Sequence, residues 1–165
     1  MTDNRPSSWA LGEEKYRLAI QRWTDICQQA VDAEPANPRL QIALSKALFS
    51  TDRRAEAVAQ LRAGAAVGDA DALVEIYEWH KSWERGDIDR VQIVGRKEAG
   101  DALRKAAELG DPFAMHRLAV LLDRGDIVKR DNAEAICWAE RSLQRPEKDW
   151  RTEDIAVLLG RMITK

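Results

Sequence analysis

At 165 residues the chain has the length of one ordinary domain, and its 45% apolar and 33% charged residues describe a globular protein with a core, not a disordered segment. A net charge of −2, with basic pairs at Arg53-Arg54, Arg96-Lys97 and Lys129-Arg130 that are scattered among acidic neighbours, excludes the electrostatic footprint of nucleic-acid binding. No apolar run is long enough to span a bilayer and none follows the N-terminal Met-Thr-Asp-Asn-Arg-Pro-Ser-Ser, so neither a membrane segment nor a signal peptide is expected and the chain reads as cytoplasmic, with Cys27 and Cys137 as reduced core thiols.

Residues 1–8 read as a flexible tail and 9–165 as a single helical domain. In the first predicted helix Tyr16, Ala19, Ile20, Trp23, Cys27, Ala30 and Val31 recur at steps of three and four, one apolar stripe. Glu34-Pro35 ends it. Asn37 then caps a second helix whose first turn holds Pro38, where no amide donor is needed, and whose stripe is Leu40, Leu44 and Leu48. Thr51-Asp52 breaks the pattern before Ala57, Leu61 and Ala65 resume it. Gly68-Asp69 and Gly110-Asp111 each pair a left-handed helix stop with an N-cap, turning the chain through a tight corner. Ala114, Leu118 and Leu122 follow the second corner. Asp131 with Glu134 three residues on has the form of a capping box, opening a helix through Ile136, Trp138 and Leu143 to Pro146. A last helix spans about Thr152 to Ile163, with Ile155, Leu158, Leu159 and Met162 on its stripe. That makes eight helices on short links, with no two-residue alternation to suggest a strand.

The chain also repeats itself. Residues 61–72, Leu-Arg-Ala-Gly-Ala-Ala-Val-Gly-Asp-Ala-Asp-Ala, match residues 103–114, Leu-Arg-Lys-Ala-Ala-Glu-Leu-Gly-Asp-Pro-Phe-Ala, at six of twelve positions with an offset of 42. A fixed period on this scale marks stacked units, each burying its apolar face on the next. The segment Lys105–Ala114, followed by Leu118-Ala119, Gly125, Asp131, Ala135 and Trp138, resembles the junction of Sel1-like repeats, a branch of the tetratricopeptide repeat superfamily. Residues 57–77 repeat the theme more weakly, and 33–57 are closer to the parent tetratricopeptide pattern. The resemblance spans about 13–163 and implies an all-α fold, a right-handed α-solenoid of stacked antiparallel helix pairs. One departure is an insertion at 84–98, where Val91 and Val94 would supply apolar contacts and Gly95 and Gly100 would each weaken the next helix by about 1 kcal/mol.

Chemistry-bearing motifs are scarce. His80 and His116 belong to no metal-type cluster, and neither His-Glu-x-x-His, Gly-x-Ser-x-Gly nor a phosphate-cradling glycine loop occurs. No catalytic, cofactor-binding or metal residue is therefore assigned, and no cofactor is expected. The Arg-Gly-Asp triplets at 85–87 and 124–126 read as helix ends with charged residues facing water. Of the six tryptophans, Trp23 and Trp138 fall on core stripes, while Trp79 and Trp83, four apart beside the insertion, are core pairs or binding anchors. Trp9, near the tail, and Trp150 complete the set.

In stacked helical pairs the first helix of each unit lines the concave wall. Spacing then assigns to that wall Arg39, Ile42, Lys46 and Phe49; Asp71, Val74, Glu78 and Lys81; Phe113, His116, Val120 and Asp123; and Asp154, Val157 and Arg161. This mixture of apolar and charged groups suits a protein or peptide better than a phosphate backbone. The resemblance implies a non-enzymatic scaffold or adaptor, with an inhibitor or immunity-type protein as a narrower version. A small helical enzyme subunit is the rival, requiring a polar pocket that holds a histidine beside two carboxylates. Self-association through the apolar C-terminal helix is a further expectation.

Overall fold

The computed structural model describes residues 8–86, 94–144 and 151–163, with side chains at 12–86, 94–144 and 156–163. Eight helices occupy them: α1 (Ser8–Ala33), α2 (Pro38–Ser50), α3 (Arg54–Ala66), α4 (Ala70–Arg85), α5 (Arg96–Glu108), α6 (Pro112–Arg124), α7 (Asn132–Leu143) and α8 (Arg151–Ile163). No strand occurs among the described residues. The expected tail falls outside them apart from Ser8, which opens α1. Val91, Pro146 and Trp150, together with the side chains of Trp9, Asp154 and Ile155, also lie outside. The helices group into two compact units, Met1–Val67 and Gly68–Lys165.

In the first unit α1 packs on α2 and α2 on α3. Asn37 caps α2 as expected, its Oδ1 accepting from the Arg39 amide at 3.2 Å, and Pro38 fills the first turn. After α2, Asp52 turns the chain at a φ of 62°, and the Arg53 amide returns to the Leu48 carbonyl at 3.0 Å. Leu44, Ala47 and Leu48 of α2 and Ala57, Val58 and Leu61 of α3 make the core, with Cys27 and Val31 of α1.

The stripe of α1 is only half used. Cys27 and Val31 are buried with Thr24, but Trp23 is 38% exposed and Tyr16 67% exposed, so these two are not core residues. Length explains the difference. At about 1.5 Å per residue, the 26 residues of α1 run twice as far as the 13 of α2. Residues 12–19 are all exposed.

In the second unit α4 packs on α5, α5 on α6 and α6 on α7, while α8 touches both α7 and α6. The Gly-Asp corner between α5 and α6 works as the sequence implies. Gly110 sits at φ +97° and its amide donates to the Ala107 carbonyl at 3.0 Å; the next amide, of Asp111, donates to Ala106 at 3.1 Å. These two bonds form a Schellman stop. The Asp111 carboxylate then accepts from the Ala114 amide at 2.7 Å, so one residue closes α5 and caps α6. At the equivalent repeat position Gly68 has φ +85° and Asp69 accepts from the Ala72 amide at 2.8 Å.

Two local expectations change. Asp131 does cap α7 through the Glu134 amide at 2.9 Å, but the reciprocal arm of the box is missing. The Glu134 carboxylate is taken by the Arg104 guanidinium of α5 and by Trp138 Nε1 at 3.1 Å, while the Asp131 amide donates to the Leu122 carbonyl at 3.0 Å. Glu134 thus ties α5 to α7. The glycines beside the insertion are not simply weak points either. Gly95 is the N-cap of α5, and a Cβ on Gly100 would stand 3.1 Å from Ile127 Cγ2 and 3.2 Å from Val128 Cγ1, so the loop after α6 packs on bare backbone there. Val94 is buried, as expected.

Candidate functional site

The first helices of the pairs leave a strip of side chains outside the core. On α4, Asp71 is exposed and Val74, Glu78 and Lys81 are half-buried. On α6 the strip is turned. His116 is 8% exposed and Asp123 5% exposed, so neither can be an open contact residue. Three helices, α5, α7 and α8, surround α6, and beyond Pro112 in its first turn its accessible positions are Phe113, Arg117, Val120 and Arg124, at steps of four, three and four. Sequence spacing missed Arg117 and Arg124; their charge, on a helix otherwise buried nearly all round, was the available signal. The Arg117 guanidinium lies over the Phe113 ring, 5.0 Å from its centroid.

On α8, Val157 and Arg161 are exposed, and Arg161 Nη2 donates to the buried Asp123 Oδ2 at 2.5 Å. Asp123 therefore anchors α8 to α6. Leu158 and Met162, the stripe expected to stack α8 on its own copy, are buried within the unit. Val157 and Ile163 stay exposed but fall on different sides of the helix. In the first unit α2 presents Arg39 and Lys46 exposed and Ile42 and Phe49 half-buried, with the Arg54 guanidinium 5.6 Å from the Phe49 centroid.

His80 is fully enclosed, at 1% exposure. Its Nδ1 donates to the Val94 carbonyl at 3.0 Å, which assigns the proton to that nitrogen. Nε2 lies 3.2 Å from Glu84 Oε1, off the line of a hydrogen bond. Lys81 Nζ holds the other Glu84 oxygen at 2.5 Å and approaches Asp126 at 3.9 Å, while Arg96 also pairs with Asp126. The Lys81 ammonium, more than the nearby histidine, holds the Glu84 carboxyl below the usual glutamate range. These contacts tie the end of α4 to Val94 and, through Asp126, to Arg96 at the start of α5. They read as structure.

Asp126, in the second Arg-Gly-Asp triplet, is thus an ion-pair node and does not simply face water. Gly86 and Gly125 of the two triplets do end their helices, at φ +77° and +73°. Trp83 packs against His80 at 5.9 Å between centroids, and Trp79 and Trp83 are both half-buried. Burial pushes the Tyr77 phenol up to about 12, offset by Arg117.

Cys27 is buried, which pushes its thiol up, but Cys137 is exposed. The buried positions of α7 are Ala135, Trp138, Ala139 and Ser142, and Cys137 points away from them. No group of three or more His, Cys, Asp or Glu stands in metal-binding proximity among the described residues, and no helix among them is long and apolar enough to cross a membrane. A cleft of about 550 Å³ at the ends of α5, α6 and α7, lined by Leu109, Met115, Arg141 and Gln144, contains neither histidine.

No protein-family model and no curated protein matches the sequence. A solved structure does: the crystal structure of a Sel1 repeat protein from Oxalobacter formigenes superposes with a TM-score of 0.63 at 21% identity, covering 83% of this chain and 98% of that one. The chain carries the Sel1-repeat fold. The all-α class of stacked helix pairs expected from the sequence holds at that level, and both Gly-Asp corners, 42 residues apart, have a left-handed glycine followed by a capping aspartate. Trp138, the aromatic position of the resemblance, is 7% exposed and bonded through its indole to Glu134.

Proposed function

We propose that this chain is a non-enzymatic, cytoplasmic interaction protein that holds a partner protein or peptide on the first helices of its repeats. The second unit carries the main contact strip, Asp71, Val74 and Glu78 of α4 with Phe113, Arg117 and Val120 of α6, and Val157 and Arg161 of α8 at its margin. In the first unit Arg39, Ile42, Lys46 and Phe49 of α2 form a separate strip of the same character. Asp154 belongs to the proposal by spacing alone.

The observation that carries this reading is the composition of those wet positions. Half-buried Val74, Phe113 and Val120 stand among charged Glu78 and Arg117 on the side of α4 and α6 that the core leaves uncovered. Such a mixture offers apolar contact area with charge on its border, the anatomy of a protein interface. The fold's wide use as a binding platform agrees, although fold by itself does not fix function.

The test is a charge reversal that spares the fold. Lys81 is a poor choice because Glu84 and Asp126 depend on it. Asp71→Lys with Glu78→Lys should change stability by no more than about 0.5 kcal/mol each and abolish capture of the native partner from host lysate. Glu140→Lys, on the exposed side of α7, should capture it as the wild type does. Equal capture by both variants rejects the strip.

A further inference from the structure

Helix α1 carries a second apolar stripe that its own unit does not use. Tyr16, Ala19, Trp23, Ile26 and Ala30 alternate steps of three and four, the spacing of a coiled-coil seam, and the first four are exposed. It runs beside the stripe of Thr24, Cys27 and Val31, which is buried in the first unit. A helix with one spent stripe and one open stripe is built to receive another helix.

The open stripe is complementary to its own reverse. Counted outward from Gln21 in both directions, Ala19 meets Trp23, Tyr16 meets Ile26, and Gly12 meets Ala30. In an antiparallel pair of copies each indole therefore falls over a methyl group, and each phenol over an aliphatic side chain.

The exposed area fits a weak, reversible contact. With side chains of roughly 200 Å², the exposed fractions of Tyr16, Trp23 and Ile26, 67%, 38% and 56%, give about 300 Å² per copy. Two copies therefore offer about 600 Å², to which the stems of Lys15 and Arg22 add, the scale of a transient interface. One contact opposes the pairing: Arg22 flanks the seam at the two-fold and meets its own symmetry mate.

We propose that α1 pairs antiparallel with α1 of a second copy, in the register centred on Gln21, and that the chain is a reversible two-fold dimer through this seam. Sedimentation equilibrium of the full chain over a concentration series should show a monomer–dimer equilibrium. Ala19→Glu, at an exposed site that faces Trp23 of the other copy, should weaken it by at least about tenfold with helical content unchanged. Arg22→Gln should tighten it about two- to fivefold by removing the like-charge pair; an acidic helical partner in place of a second copy would give the opposite sign. Arg22→Cys in a Cys137→Ser background should be joined chain to chain by a bismaleimide of about 10 Å reach, the spacing of two packed helix axes, which reads the register whether or not Ala19→Glu folds. A monomer at every concentration, a dimer indifferent to Ala19→Glu, or an Arg22→Cys chain that fails to cross-link overturns the proposal.

Discussion

Leu118→Ala tests the core of the second unit most directly. Leu118 has 0% exposure and lies on α6, the helix that α5, α7 and α8 surround. Removing three carbon groups costs about 2.4 kcal/mol in transfer free energy at about 0.8 kcal/mol each. Walls on three sides restrict collapse, and a residual void of about 60 Å³ at about 24 cal/mol per Å³ adds roughly 1.4 kcal/mol. The expected destabilisation is therefore about 4 kcal/mol, or on the order of 8–15 °C in Tm for a chain of this size. Leu118→Met, close in volume, should cost less than about 1.5 kcal/mol. Urea unfolding followed by circular dichroism measures both variants. A loss below about 1 kcal/mol for Leu118→Ala would mean that α6 is not the centre of this unit. The same experiment asks whether residues 9–165 behave as one domain. Leu61, also at 0% exposure, belongs to the first unit. In a single cooperative domain Leu61→Ala and Leu118→Ala displace one common transition; if each moves a transition of its own, the two units fold separately.

Three further outcomes follow from local contacts. Burial raises the Tyr77 phenol from 10.0 to about 12, so its contribution is complete below pH 10 and is lost as pH climbs towards 12. At about 1.4 kcal/mol per unit, Tyr77→Phe should flatten the alkaline fall in stability by about 2–3 kcal/mol, and parallel urea midpoints against pH would refute this. The Arg104 guanidinium, and to a lesser degree the Trp138 indole, hold the Glu134 carboxyl below its ordinary 4.5, so its contribution is full above that pH and disappears as pH falls through the lowered value. Glu134→Gln should cost about 1 kcal/mol at neutral pH, and the gap to wild type should close in acid; a gap that persists at low pH contradicts the assignment. Asp111→Ala removes the 2.7 Å cap on the Ala114 amide and should cost about 1 kcal/mol, whereas Asp111→Asn should be nearly silent in thermal unfolding because Asn caps equally well.

What was legible in the sequence is what local chemistry decides. Asn37-Pro38, Asp69 and Asp111-Pro112 announce their helix starts because a capping side chain acts within its own turn. Gly68 and Gly110 announce the corners because a left-handed backbone selects glycine. The errors share one cause, which is that periodicity gives the direction of an apolar face without saying what covers it. Glu134 looked like half of a capping box, but Arg104, thirty residues away, offers its carboxylate a full charge. Spacing from the core positions puts His116 and Asp123 on an open face, but it cannot show α8, the third neighbour of α6, from which Arg161 engages Asp123.

Trp23 shows the same limit from the other side. Thr51-Asp52 marks the end of α2, so the sequence shows that α1, with 26 residues, outruns α2, with 13, but not which face of α1 the shorter helix covers: Cys27 and Val31 are buried and Trp23 is not. Trp23, Ile26 and Ala30 each stand one residue before Thr24, Cys27 and Val31, about 100° away round the helix. The two stripes run side by side at that angle, so α2 covers one and leaves the other open. That offset is itself the argument that the exposed rings of α1 answer to a second helix.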